Sequence, residues 1–269
     1  MQRRNAEKQI HYFESEFAKE CKMFDLQGLL LNTDDEFTAA VEAFTYNEEE
    51  GITNARTSTF NEEEWEAKLT LSESLNIHFF LFLHKIGTSR IVMYDITQES
   101  FNSGNIAPQS MTEQEFVEWW RQHKQTIQYK QYRPELNDAI SDSYFDNLLE
   151  SNGLKWGGNI DGFLILSDEK KPKAIIENRF TRKESIKTYN PLKYYKDDIN
   201  TWKPLILLCR MLQVPLILCV YSKIDTENNM VGIALLDTDK TPLSYIGKKP
   251  SNNIFTDIKE AKKWLFSNI

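Results

Sequence analysis

Apolar positions along this 269-residue chain follow two rhythms, one with the spacing of helices and one with the alternation of strands. From Arg3 to Phe24, the side chains of Ile10, Phe13, Phe17 and Cys21 recur at helical spacing and predict an opening helix. An acidic, turn-rich stretch follows through TYNEEEGITNARTSTFNEEEWEAK, with only weak strand signals. NIHFFLFLHKIGTSRIVMYDIT then reads as a hairpin, two β-rich runs joined by a Gly-containing turn. Thr112-x-x-Glu115 forms a capping box, in which each side chain serves the other's backbone amide, and it starts the helix TEQEFVEWWRQHK.

The pattern changes near residue 130. AISDSYFDNLLESNG is an amphipathic helix with Ile140, Tyr144 and Leu148 on one face, flanked by Phe145 and Leu149, and Gly153 suits its C-terminal cap. IDGFLIL and KAIIENRF read as strands separated by the charged turn SDEKKP. WKPLILLCRMLQ is a helix capped by Asn200 or Thr201, with Pro204 in its first turn. PLILCVYS and NMVGIALLDTD are strands of the buried type, and IKEAKKWLFSN closes the chain as a helix. The order helix, strand, strand, helix, strand predicts an α/β sandwich with a mixed central sheet flanked by helices. We assign it to residues 131–269, preceded by an α+β region over residues 1–130.

Charge sharpens this division. The net charge of -8 combines 13 Lys and Arg against 27 Asp and Glu in residues 1–150 with 19 against 13 in residues 151–269. A polyanion is repelled by the first part and attracted by the second; two ordinary solvated surfaces explain the same counts. Cys21, Cys209 and Cys219 lack metal-ligand spacing and read as reduced, buried thiols. The N-terminal residues have no signal-peptide core, and Arg210, Gln213 and Pro215 interrupt the most apolar run, so the expectation is a cytoplasmic protein without a membrane partner. No Gly-rich phosphate loop, nucleophile elbow or CxxC pair is present.

Candidate chemistry lies on the two strands after residue 159. Alternation puts Glu177 and Arg179 on one face, and antiparallel pairing brings Asp161, at the head of the preceding strand, beside Glu177. Two carboxylates so close repel, and a divalent cation between them relieves the repulsion. Oxygen-only ligands favour Mg²⁺ or Mn²⁺ over zinc. Such a metal can orient a water and stabilise charge on phosphorus, with Arg179 as the accompanying cation. Taken singly, Asp161 also reads as a turn acid bonded to backbone amides, and Glu177 as the partner of Arg179 or a lysine in a salt bridge. Lys and Arg exceed Asp and Glu between Lys170 and Lys203, where Tyr189, Tyr194, Tyr195 and Trp202 are interleaved. Lys173, Arg182, Lys183, Lys187, Lys193 and Lys196 are the candidates there for contacts to a nucleic-acid backbone, with the aromatic residues either stacking bases or packing in the core.

Asp161 followed by Glu177-x-Arg179, a helix and a buried strand resembles the PD-(D/E)xK nuclease superfamily of restriction endonucleases, junction resolvases and repair nucleases. The resemblance covers about residues 135–222. It implies a restriction-endonuclease-like core, metal ligation by Asp161 and Glu177, and phosphate binding by Arg179. The family's helical acid ahead of a Gly further nominates Asp142, which precedes Gly153 by eleven residues, as a metal ligand, with Glu135 behind it. Two positions depart from the family pattern. Ile160 replaces the usual Pro, and Arg179 stands where the family has Lys. Arginine binds phosphate but cannot take a proton from water, so Lys193 or Lys196 is the candidate to supply a relocated lysine. The expected function is a Mg²⁺- or Mn²⁺-dependent DNA endonuclease of the restriction or phage-defence type, with a homodimer or larger assembly implied by the family. A catalytically inactive nuclease-like binding or assembly protein is the alternative, and an RNA-directed nuclease the second alternative.

Overall fold

The structure, a computed structural model, describes residues 21–46, 60–124, 144–166, 171–181, 184–194 and 199–269. Asp142, Glu135, Arg182, Lys183 and Lys196 lie outside these residues, as does most of the predicted opening helix. The end of that helix is not helical: Cys21–Leu26 is a strand, β1. Read with a period of two, Cys21 and Met23 join one apolar cluster, while Phe24 meets Phe163 at 5.9 Å between ring centroids.

Two compact units divide the chain, Leu26–Asn159 and Ile160–Ile269 together with the residues up to Asp25. The first holds β2 (Gly28–Leu31), β3 (Phe37–Tyr46), helix α1 (Glu62–Ser74), β4 (His78–Lys85), β5 (Arg90–Ile96), α2 (Gln98–Ser103), β6 (Pro108–Thr112), α3 (Glu113–His123) and α4 (Tyr144–Ser151). Its sheet runs β2-β3-β4-β5-β6, mixed because β3 and β4 are parallel. The predicted hairpin is present as the antiparallel pair β4–β5, and Thr112 and Glu115 form the predicted capping box. Helix α1 is an addition to the sequence reading. Asn61 caps it by accepting from the Glu64 amide at 2.8 Å, and Trp65, Leu69 and Leu71 are buried.

A boundary at residue 130 differs from this division, because α4 belongs with the preceding elements. Phe145 and Leu149 join the cluster of Phe82, Phe116 and Trp120, and the Phe116–Phe145 centroids are 5.3 Å apart. The buried residues of α4 are therefore Phe145 and Leu149, while Tyr144 and Leu148 are only partly covered.

The second unit holds β7 (Ile160–Leu166), β8 (Ala174–Thr181), α5 (Ile199–Leu212), β9 (Leu216–Ser222), β10 (Val231–Asp237), β11 (Ser244–Ile246), β12 (Ile254–Phe255) and α6 (Ile258–Phe266). Helix α5 starts earlier than Asn200 or Thr201, so Pro204 lies beyond its first turn. The sheet runs β1-β7-β8-β9-β10-β11, with β12 also on β10. β7 and β8 are antiparallel, β8 and β9 parallel, and β9 and β10 antiparallel. The parallel pair needs a crossover, and α5 supplies it. Alternation then sorts the side chains. Ile176, Cys219 and Ile233 pack with Ala261 and Leu265 of α6, which commits Glu177 and Arg179 to the other face, where Trp202 of α5 lies against Arg179. The Ile160–Ile269 unit is thus mixed α/β, as its strand and helix order predicts, and the Leu26–Asn159 unit likewise combines helices with a mixed sheet. Among the described residues no helix is long and apolar enough to cross a membrane.

Candidate active site

Asp161 heads β7 and Glu177 lies within β8. The last registered pair between these strands is Gly162 with Ile176, so one further step sets Asp161 opposite Glu177. Residues opposed in an antiparallel pair share a face, and both carboxylates therefore stand on the side that carries Arg179. Apolar neighbours force this geometry. Ile175 and Ile176 are fully buried on opposite faces, and Glu177, continuing their alternation, is only 3% exposed.

Each acid has a protein partner. Asp161 Oδ2 accepts from the Asn178 backbone amide at 2.7 Å. Glu177 Oε1 lies 2.8 Å from Arg179 Nε, and the Arg179 guanidinium carbon sits 4.7 Å from the centroid of the Trp202 ring. A cation held over an indole face and against a carboxylate has its plane fixed by two surfaces. The sequence left Trp202 with two roles, base stacking or core packing. At 1% exposure its role is in the core, as the seat of Arg179.

The other nominated residues scatter. Lys173 precedes β8, six residues before Arg179 and roughly 20 Å away along an extended strand. Lys187 and Lys193 are exposed on the segment after β8, Lys193 in the short helical turn Pro191–Tyr194. Among the described residues no three His, Cys, Asp or Glu side chains gather as a metal-binding group. Two carboxylates on one face remain, a number sufficient for Mg²⁺, which keeps several waters and takes one or two protein carboxylates at phosphoryl-transfer sites.

Beyond the strand ends lies a polar network that the sequence reading did not anticipate. Thr181 and Ser222, register partners at the carboxyl ends of β8 and β9, are joined by a hydroxyl bond of 3.3 Å. Glu227, in the turn Asp225–Glu227, is 7% exposed and accepts from the Ser222 hydroxyl at 2.6 Å, the Ile186 amide at 3.0 Å and the Ser185 hydroxyl. Burial pushes its carboxyl upward, but the Ser185, Ser222 and Ile186 donors, with the charge of Lys187, hold it below the ordinary glutamate range. Little in the local sequence announces this acid, because two of its three donors, Ser185 and Ile186, come from a segment some forty residues earlier and only Ser222 is near in the chain. The three cysteines are buried and in no disulfide, and burial raises the Cys209 thiol, as expected of inert core thiols.

Comparison with known proteins adds little to this geometry. No protein-family model matches the chain, and no curated protein sequence matches it. A solved structure titled "Crystal structure of Sex pheromone staph-cAM373 precursor" aligns at 11% identity over 95% of this chain and 92% of that one, and its TM-score of 0.17 establishes no shared fold.

Proposed function

We propose that the protein is a divalent-cation-dependent nuclease that hydrolyses DNA phosphodiester bonds, of the restriction or phage-defence type, centred on Asp161, Glu177 and Arg179. The observation that carries the reading is the juxtaposition of two carboxylates across an antiparallel pair, one of them buried, with a guanidinium two residues further along the same face. The succession of antiparallel strands, crossover helix and parallel strand supports it as well, since it agrees with a restriction-endonuclease-like core.

Asp161 and Glu177 are the protein ligands for Mg²⁺ or Mn²⁺ in this reading, with Asp142 as a third. A bound cation of this kind supplies an activated water and draws charge from the phosphate oxygens. Arg179 contributes a permanent positive charge for the scissile phosphate, oriented in advance by Glu177 and Trp202. It cannot act as a base, so proton removal falls to another group.

A second reading, a nuclease-like binding or assembly protein without activity, is favoured by one observation. The 2.8 Å pair with Arg179 neutralises an acid that a metal site requires. Incubation of the protein with plasmid DNA, single-stranded DNA and RNA, in Mg²⁺, Mn²⁺ or EDTA, separates the readings. Metal-dependent DNA cleavage that falls by roughly 100-fold or more in both Asp161→Ala and Glu177→Gln is the expected result. Cleavage of RNA alone supports the RNA-directed alternative. No cleavage of any polymer, with no Mn²⁺ binding by calorimetry, refutes the nuclease.

A further inference from the structure

We propose that Glu227 is a positioning residue that fixes the lysine-bearing segment after β8 as a contact surface for the phosphate backbone of the substrate; the inference rests on the nuclease reading above. Ligands of open α/β sheets bind beyond the carboxyl ends of parallel strands, and β8 and β9 are the parallel pair of this sheet. Thr181 and Ser222 end those strands, and Arg179 lies two residues before Thr181.

The segment starting at Ser185 is secured at two points. Its beginning is held by Glu227, which accepts from the Ser185 hydroxyl and the Ile186 amide, while Ser222 ties the same carboxylate to the end of β9. Further along, the Tyr245 hydroxyl donates to Asn190 Oδ1 at 2.8 Å, and the Lys193 amide donates to Asn190 O at 3.1 Å. Lys187 and Lys193, both exposed, are thereby carried on a fixed backbone, and Lys187 N–H itself donates to Ser185 Oγ at 3.2 Å.

Holding contacts in place before binding removes an ordering cost that a loose loop meets on binding. An acid beside a phosphate surface is otherwise a disadvantage. Here three donors and the Lys187 charge oppose the carboxylate, which limits its repulsion of a phosphate. Glutamine is a weaker tether: its oxygen can accept from Ser222 and Ile186, but its NH₂ group forces the Ser185 hydroxyl to turn from donor to acceptor, and all three bonds lose the assistance of the charge.

The test is binding of fluorescein-labelled duplex and single-stranded DNA in EDTA, followed by anisotropy across a salt series. Glu227→Gln is expected to weaken binding about tenfold and to flatten the salt dependence by about one phosphate contact. In cleavage assays KM rises while kcat holds. Tyr245→Phe, which removes only the outer tether, is expected to move binding the same way by a smaller factor, and it decides the matter should Glu227→Gln fail to fold. Absence of DNA binding by the wild type overturns this inference, and absence of metal-dependent cleavage as well refutes the nuclease reading with it. Metal-dependent cleavage by the wild type, with wild-type affinity and salt slope in the folded tether variants, overturns the positioning role alone.

Discussion

Replacing Lys68 by Met tests a deeply buried ion pair of the Leu26–Asn159 unit. Lys68 is 1% exposed, its Nζ lies 2.6 Å from Glu42 Oε1 and 3.0 Å from Glu64 Oε1, and the ammonium sits 3.9 Å from the centroid of Phe60. Glu42 is equally buried, whereas Glu64 is partly exposed and can turn to water. Methionine keeps the length and packing of the lysine stem but removes the cation from Glu42. Breaking a buried pair on one side costs about 3–5 kcal/mol, and no solvent screening reduces the figure here. The double variant Lys68→Met with Glu42→Leu removes both desolvated charges and is expected to return to within about 1 kcal/mol of the wild type or to exceed it. Urea unfolding followed by tryptophan fluorescence is the assay, with Trp65, Trp119, Trp120 and Trp156 reporting on this unit. A loss below about 1 kcal/mol, or a double variant as unstable as the single one, refutes the reasoning.

Other consequences follow from the same unit. Lys124 Nζ donates to the carbonyls of Lys155 and Trp156, and burial, followed by the charge of Lys155, lowers its pKa to about 8 from 10.5. The unfolded chain therefore binds more protons between those values, so this group adds stability as pH rises through the window, about 3 kcal/mol in all, and withdraws it as pH falls towards 8. The difference in unfolding free energy between wild type and Lys124→Met should climb over that range, and a flat difference rejects the shift. Gly158 has φ +71°, and an added Cβ runs into the carbonyl of Leu29; Gly158→Ala should cost at least about 2 kcal/mol in urea unfolding. Gly87→Ala, at φ +82° but with open space around it, should cost only about 1 kcal/mol.

What the sequence made legible depended on where each element's partners come from. The β4–β5 hairpin, the β7–β8 pair and the strands β9 and β10 carry their own alternation or continuous apolar runs, and local punctuation marks their ends. β1 was not legible as a strand. Cys21 fits both periods, and the strand's neighbour in the sheet, β7, begins far along the chain. Helix α1 was hidden because its buried side includes Lys68 and Ser72, which interrupt the apolar stripe that marks a helix. At the candidate site, the Asp161 and Glu177 pairing was readable from register arithmetic, since strand alternation is strict. The seating of Arg179 on Trp202 and the Glu227 network were not, because side-chain direction and long-range donors leave no local trace.

The strand order also bears on how the chain folds. β1 and β7 are neighbours in one sheet, yet residues 27–159 intervene. Were that intervening chain unfolded, joining its ends would oppose the β1–β7 pairing by about 4 kcal/mol of loop-closure entropy for roughly 130 residues. Once folded it holds its own ends together: the Leu29 amide donates to Gly158 O at 3.0 Å, where the chain enters and leaves the unit. The inserted unit therefore works as a clasp, and a substitution that unfolds it loosens β1 in a sheet whose own residues are unchanged.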